Sequence, residues 1–255
     1  MRVVKIGGRP QADPQLPSII SDAWHRSPGS LCIVHGGGDE MSAMQRALGK
    51  QPVFIGGRRV TSEGDIELLR MVLSGVVNKR LVSAFTAVGL PALGLSGEDG
   101  ELIGAQAIDK ASLGFAGRPA RINSHLLRFV LNAGYMPVIS PVGCDVKNPK
   151  GGALNVNGDD AAAAIAVALG ADELLLVSDV EGVRGADGAP YQSLSVESAR
   201  DLIASGVATG GMAAKIESAH EALGRGVGSV RICDLRGLHD EQSGTFITIS
   251  QSVAI

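Results

Sequence analysis

Short apolar runs without polar alternation recur along this chain, and helical patterns follow them across tight turns. Residues 3–6 run into Gly7-Gly8, residues 31–34 into His35-Gly36-Gly37-Gly38, and residues 174–177 into Ser178-Asp179. Lys5 is the one polar residue in these three runs, and a run apolar at every position, such as 174–177, reads as a strand buried on both faces. Strand, turn and helix in repetition leave few architectures besides a parallel sheet covered by helices. The expected fold class is therefore α/β: a three-layer α/β/α sandwich with a mainly parallel central sheet.

Helical spacing is read over residues 15–24, 40–48, 63–88, 123–132, 159–169, 196–205 and 212–223. Extended segments are read at 3–6, 31–34, 92–95, 135–140, 173–178, 229–233 and 245–249. The helix over 63–88 is the longest, with apolar residues at Ile66, Leu69, Val72, Leu73, Val76 and Val77. Gly56-Gly57 between two short extended pieces makes 52–61 a hairpin. Residues 101–122 read as irregular hairpins. Without a linker or low-complexity stretch, the expected boundary is Asp172–Glu173. It divides an N-terminal lobe, 1–172, from a C-terminal lobe, 173–255, with one shared sheet and a cleft between them. Ligands of such folds sit outside the carboxyl ends of the strands.

Composition narrows the function. The 255 residues are 45% hydrophobic and 19% charged, enough to bury a large core. A net charge of −3 argues against nucleic acid as the main partner, because a phosphate backbone needs a basic face. Aromatic residues make up only 3%, too few for base-stacking platforms. The longest apolar helix candidate, 161–169, is far below the ~18 residues of a membrane span. The N-terminus enters a strand directly, with no targeting pattern. Cys32, Cys144 and Cys233 are far apart and form no CxxC, so they read as buried small hydrophobes in a reducing cytoplasm.

Two lysines stand beside glycine turns. Lys5 lies at the end of the first strand, and Lys215 follows Gly210-Gly211-Met212 at a helix start. Between them come His35-Gly36-Gly37-Gly38 and Asn155-Val156-Asn157-Gly158-Asp159. Successive glycines let several N–H groups point at one anion, aided by the following helix N-terminus. Cationic clamps and backbone amides suit phosphoryl transfer, where the protein's task is positioning and charge stabilisation. Each segment also has an ordinary reading. Lys5 fits a solvated turn lysine, the glycine run a flexible loop, Arg59 a surface charge and Asp159 a helix cap. His35 reads as structural rather than as a base. Gly49-Lys50 lacks the first glycine of a P-loop and is followed by Gln51, so that motif is absent. No GxGxxG follows a strand in the context a dinucleotide site requires.

Taken together and in order, the motifs resemble those of the amino acid kinase family over nearly the whole chain. They are Lys5-Ile6-Gly7-Gly8, His35-Gly36-Gly37-Gly38, Gly57-Arg58-Arg59-Val60-Thr61, Asn78-Lys79, and Gly94-Leu95-Ser96-Gly97 with Asp99-Gly100. Residues 137–143, Asn155-Val156-Asn157-Gly158-Asp159, Ser178-Asp179-Val180-Glu181-Gly182 and Gly211-Met212 before Lys215 complete the set. Within the family, the resemblance is to members that phosphorylate the γ-carboxylate of N-acetyl-L-glutamate with ATP in arginine synthesis.

That resemblance implies an N-terminal lobe for the acyl amino acid and a C-terminal lobe for ATP. It makes Lys5 and Lys215 the stabilisers of the transferring phosphoryl group and Asp159 the residue that orients both. It gives Gly8, Gly37 and Gly38 the role of amide donors, and Arg59 and Asn155 that of substrate holders. Ser178, Asp179, Val180, Glu181, Gly182 and Val183 would line the nucleotide site with residues 207–215, which include Gly210, Gly211 and Met212. Magnesium is expected on the ATP phosphates, with no metal cage built from protein ligands. The expected assembly is a cytoplasmic homodimer through helix 63–88.

Three departures from the family pattern stand out. Asp39 follows the glycine run where proline is frequent, Gly158 replaces a common alanine, and the sequence starts at its first strand. The last implies a dimer without arginine feedback. The alternatives are a kinase of the aminoadipate type from lysine synthesis and a non-catalytic nucleotide-binding protein on the same fold. Arg58-Arg59-Val60-Thr61 and Asn155-Val156-Asn157 favour acetylglutamate.

Overall fold

A computed structural model describes residues 1–148 and 152–249, so 250–255 of the expected C-terminal lobe lie outside the described residues. The chain opens with β1 (Arg2–Ile6), α1 (Leu16–Arg26), β2 (Leu31–His35) and α2 (Gly38–Ala47). The hairpin β3 (Phe54–Ile55) and β4 (Arg58–Arg59) leads into α3 (Glu63–Leu69), a π-helical segment (Arg70–Val77) and α4 (Asn78–Ala87). Next come β5 (Ala92–Ser96), β6 (Ile103–Ala107), the one-turn α5 (Lys110–Leu113), β7 (Ala116–Ile122) and α6 (Ser124–Asn132). They are followed by β8 (Met136–Ser140), β9 (Val142–Asp145), β10 (Ala153–Val156) and α7 (Gly158–Leu169). The remainder is β11 (Glu173–Val177), β12 (Ser193–Ser195), α8 (Val196–Ala204), α9 (Gly210–Gly224), β13 (Ser229–Cys233) and β14 (Thr245–Thr248).

Eight strands form the central sheet in the order β12-β14-β13-β11-β1-β2-β8-β5. All neighbouring pairs are parallel except β13 with β14. Strands after Asp172 occupy one half of the sheet and strands before it the other, meeting where β11 pairs with β1. The uninterrupted apolar runs follow from burial on both sides. Val3, Leu174 and Leu176 enter one core with Ala162, Ile165 and Ile216 of α7 and α9. Val4, Leu175 and Val177 enter the other with Ile20, Leu73 and Phe85. Successive strand residues point to opposite faces, so one run supplies both cores.

Residues 101–122 form the irregular hairpin β6–β7, with a register shift at Gly104/Ala105; its closure into a small barrel with β9 and β10 goes beyond the sequence expectation. The helix over 63–88 is divided by an eight-residue π segment. There Val72 and Val77, five residues apart, are both buried. The i→i+5 turn puts such a pair on one face, where regular α spacing would separate them.

Candidate active site

The carboxyl ends of β1 and β2 face the N-terminus of α7. Asn157 caps that helix by accepting the Asp159 amide at 2.8 Å. Asp159 is thereby fixed in the first turn, where the helix dipole favours a carboxylate. Lys5 Nζ lies 3.0 Å from Asp159 Oδ1, and Lys215 Nζ, reaching in from α9, lies 3.4 Å from Oδ2. All three side chains are buried. The Lys5 contact is an ion pair rather than an aligned hydrogen bond, so Oδ1 is left with no aligned donor. Burial pushes the Asp159 carboxyl up, but the two ammonium groups outweigh it and hold its pKa below the ordinary carboxylate value. Burial lowers the pKa of Lys215, the charge of Lys5 lowers it further, and Asp159 opposes both. Two cations thus share one anion.

A cavity of about 220 Å³ opens onto this group. Lys5, Gly8, Gly37, Gly38, Arg59, Asn155 and Asp159 all line it. The structure therefore brings every expected substrate residue to one space, together with Lys5 and Asp159. Lys215 joins them through Asp159. Gly37 precedes α2 with φ +156°, and a Cβ built there would stand 2.5 Å from Leu73 Cδ2. Only glycine lets the loop run this close to the π segment, and the first amides of α2 have no intrahelical acceptor.

The side chains around the loop are held from behind. His35 is fully buried, and burial pushes its pKa down to about 4, so the ring is neutral. Its Nδ1 donates to the Gly36 carbonyl at 2.8 Å, which assigns Nε2 as the acceptor of the Asn78 amide at 3.1 Å. His35 thus links the glycine loop to Asn78. Arg59 is 7% exposed. It donates to the Gly38 carbonyl and Ser42 Oγ, both at 2.8 Å, and to Gln45 Oε1. Phe54 stacks on it with 4.7 Å between the guanidinium carbon and the ring centroid. Asn155 donates to Thr61 Oγ1 at 2.9 Å.

The residues expected to hold the nucleotide do not line this cavity. Ser178 and Asp179 follow β11 and border a second cavity of about 510 Å³, shared with Arg9, Asp234, Arg236 and His239. Asp179 pairs with Arg9, and Glu181 pairs with Arg236 at 2.6 Å. Val180 is half-buried. Gly182 packs against Thr245, whose hydroxyl accepts the Val183 amide at 2.9 Å. Gly210 and Gly211 are exposed at the start of α9, and Met212 is half-buried. These three glycine-turn residues do not line the second cavity. Among the described residues, no three His, Cys, Asp or Glu side chains gather to hold a metal ion. No helix among them is long and apolar enough to cross a membrane.

The family model for the "Amino acid kinase family" matches residues 1–234. The chain belongs to the amino acid kinase family. Within it, an acetylglutamate kinase of Cereibacter sphaeroides is 43% identical over 256 aligned residues, covering 96% of this chain and 86% of that protein. An acetylglutamate kinase of Geobacillus stearothermophilus is 41% identical over 232, covering 90% and 88%. A solved structure from Streptococcus mutans superposes with a TM-score of 0.87 at 31% identity, covering 98% of each chain. Carbamate kinase from Giardia lamblia gives 0.75 at 15% identity over 98% of each chain, a likeness of fold.

Some lining residues carried no usable sign in the sequence. Met41, Phe54, Leu69 and Leu73 supply the apolar wall; in the sequence they read only as helix positions, or for Phe54 as part of the hairpin. Arg9 and Arg236 were missed as well. Arg9 follows Gly8 directly, and a cation beside a glycine turn is a signal that marks it in retrospect.

Proposed function

We propose that this protein transfers the γ-phosphoryl group of ATP to the γ-carboxylate of N-acetyl-L-glutamate, as an acetylglutamate kinase of arginine biosynthesis. The arrangement that carries this reading is Lys5–Asp159–Lys215, with two ammonium groups converging on one buried carboxylate at the mouth of a glycine-lined cavity. A carboxylate with a reference pKa of about 4.3 is ionised at neutral pH and attacks without a general base. The barrier is electrostatic, since one anion approaches another. Lys5 and Lys215 neutralise charge on the phosphoryl oxygens, and the Gly8, Gly37 and Gly38 amides add fixed dipoles. Asp159 aims both lysines and opposes loss of the Lys215 proton. Arg59 and Asn155 hold the acyl amino acid in line. Mg²⁺ enters as part of the co-substrate, on the ATP phosphates.

We assign the acyl amino acid to lobe 1–172 and ATP to lobe 173–255, with Ser178, Asp179, Val180, Glu181, Gly182, Val183, Gly210, Gly211 and Met212 on the nucleotide side. The protein is read as a cytoplasmic homodimer, which fits its three free cysteines. The outer face of the π segment supports the dimer contact, because Met71 and Val76 are each 58% exposed there. A Met71→Glu, Val76→Glu variant that sediments like the unaltered protein would remove that contact.

The deciding assay is ATP-dependent acyl phosphate formation trapped with hydroxylamine. N-acetyl-L-glutamate, N-acetyl-L-aminoadipate, N-succinyl-L-glutamate and L-aspartate are compared side by side. Preference for N-acetyl-L-glutamate is expected. Preference for aminoadipate would transfer the reading to lysine synthesis, and inertness toward all four would overturn it.

A further inference from the structure

Two consecutive carboxylates open α7 and serve different partners. Successive residues of a helix project about 100° apart. Asp159 faces the two lysines, while Asp160 faces Arg58 and Ser218. Arg58 Nη1 lies 2.6 Å from Asp160 Oδ2, and Ser218 Oγ lies 2.8 Å from Asp160 Oδ1. Ser218 Oγ is also 2.9 Å from the Ala214 carbonyl, so its proton is shared. Asp160 and Ser218 are buried. Lys215 and Ser218 stand three residues apart on α9, hence on one face of it. That single face docks on both carboxylates.

Arg58 belongs to the hairpin, and its neighbour Arg59 points the other way, as strand geometry requires. Arg59 anchors the hairpin to α2 through Gly38, Ser42 and Gln45. Arg58 anchors it to α7 through Asp160, which Ser218 of α9 also bonds. The hairpin tip touches α9 as well, since a Cβ built on Gly57 would stand 3.2 Å from the Gly210 carbonyl oxygen. Arg58 also lines the substrate cavity on one side and a larger surface cleft with Asp160 on the other.

We infer that Arg58 is a positioning residue: through Asp160 and Ser218 it ties the hairpin that walls the acyl amino acid to the helix that carries Lys215. This rests on the proposed kinase reading. Movement of α9 when a nucleotide binds is transmitted to the hairpin, so each substrate prepares the site for the other. Coupling of this kind is reciprocal.

The test combines kinetics with both substrates varied and amide hydrogen exchange over residues 52–61, with and without AMP-PNP. In the unaltered protein, AMP-PNP slows exchange in the hairpin, and raising ATP lowers the KM for N-acetyl-L-glutamate. Arg58→Met abolishes the slowing and shrinks the ATP effect on that KM at least fivefold, and Arg58→Lys keeps most of both. Ser218→Ala retains the ion pair and loses part of the coupling, which covers the case that Arg58→Met does not fold. Unchanged coupling in Arg58→Met and Asp160→Asn would overturn the inference. So would hairpin exchange that ignores AMP-PNP in the unaltered protein. The exchange arm needs no acyl substrate, so a protein inert toward N-acetyl-L-glutamate would strike the functional reading and leave the bridge to be judged separately.

Discussion

Replacing Asp159 with Asn removes one charge and leaves two buried ammonium groups facing each other. With contacts of 3.0 and 3.4 Å and an effective dielectric of about 20, each pair contributes roughly 5 kcal/mol of attraction. Removing the carboxylate from water offsets much of that sum, and breaking a buried pair typically costs about 3–5 kcal/mol net. The cheapest relief is for Lys215 to release its proton, because burial and Lys5 already lower its pKa and Asp159 is what opposes them. A lysine whose folded pKa lies below its unfolded value makes stability rise with pH between the two, because the unfolded chain binds more protons there. Asp159→Asn should therefore gain stability from neutral pH toward about 10, with a steeper slope than the unaltered protein. Its turnover, reduced about 100-fold or more, should fall over the same interval as the ammonium is lost. Urea unfolding and hydroxylamine-trapped turnover across that pH range give both curves. A variant within about 0.5 kcal/mol of the unaltered protein, with the same pH slope, would refute the shared-anion account.

His35 titrates at about 4 instead of 6.5 because it is buried, so its contribution is complete above pH 6.5 and is lost as pH falls through 4. That is about 3 kcal/mol, and urea unfolding of His35→Gln should show a flatter acid limb. Arg231 is fully buried and bonds Glu173 and the carbonyls of Gly237, Asp240 and Ser243. Arg231→Met should cost about 3–5 kcal/mol, and a loss below 1 kcal/mol in urea unfolding would contradict that role. Asp39 is exposed, with Oδ2 3.6 Å from where a Cβ on Gly8 would stand. Asp39→Asn should lower the KM for ATP up to about fivefold at low salt, and a salt-independent effect would count against simple repulsion.

The sequence revealed most where burial leaves no choice. Strands flanked by two cores must be mostly apolar, so β1, β2 and β11 were legible to within a residue at their ends. The barrel was not, because β9 and β10 are short and depend on partners such as Ala116 and Gly104 that are distant in sequence. The lysines and Asp159 were legible as a joint pattern, although their convergence required α9 to fold back on α7. The internal bonds of Arg59 were hidden for the same reason, since Gly38, Ser42 and Gln45 precede it by 14 to 21 residues. The π segment was invisible because helical periodicity records which residues are apolar and not how wide a turn is.

That wide turn has a consequence for how the gene can change. Asn78 directly follows the eight-residue segment and holds both His35 and the Val138 carbonyl. Deleting one residue from the segment would tighten it toward ordinary α geometry and swing everything after it by roughly 100° around the axis. Asn78 would then leave His35, and Leu81 and Phe85 would turn out of the core they fill. Point substitutions on the outer face leave that phase intact. The length of this stretch is therefore inherited more strictly than its lettering.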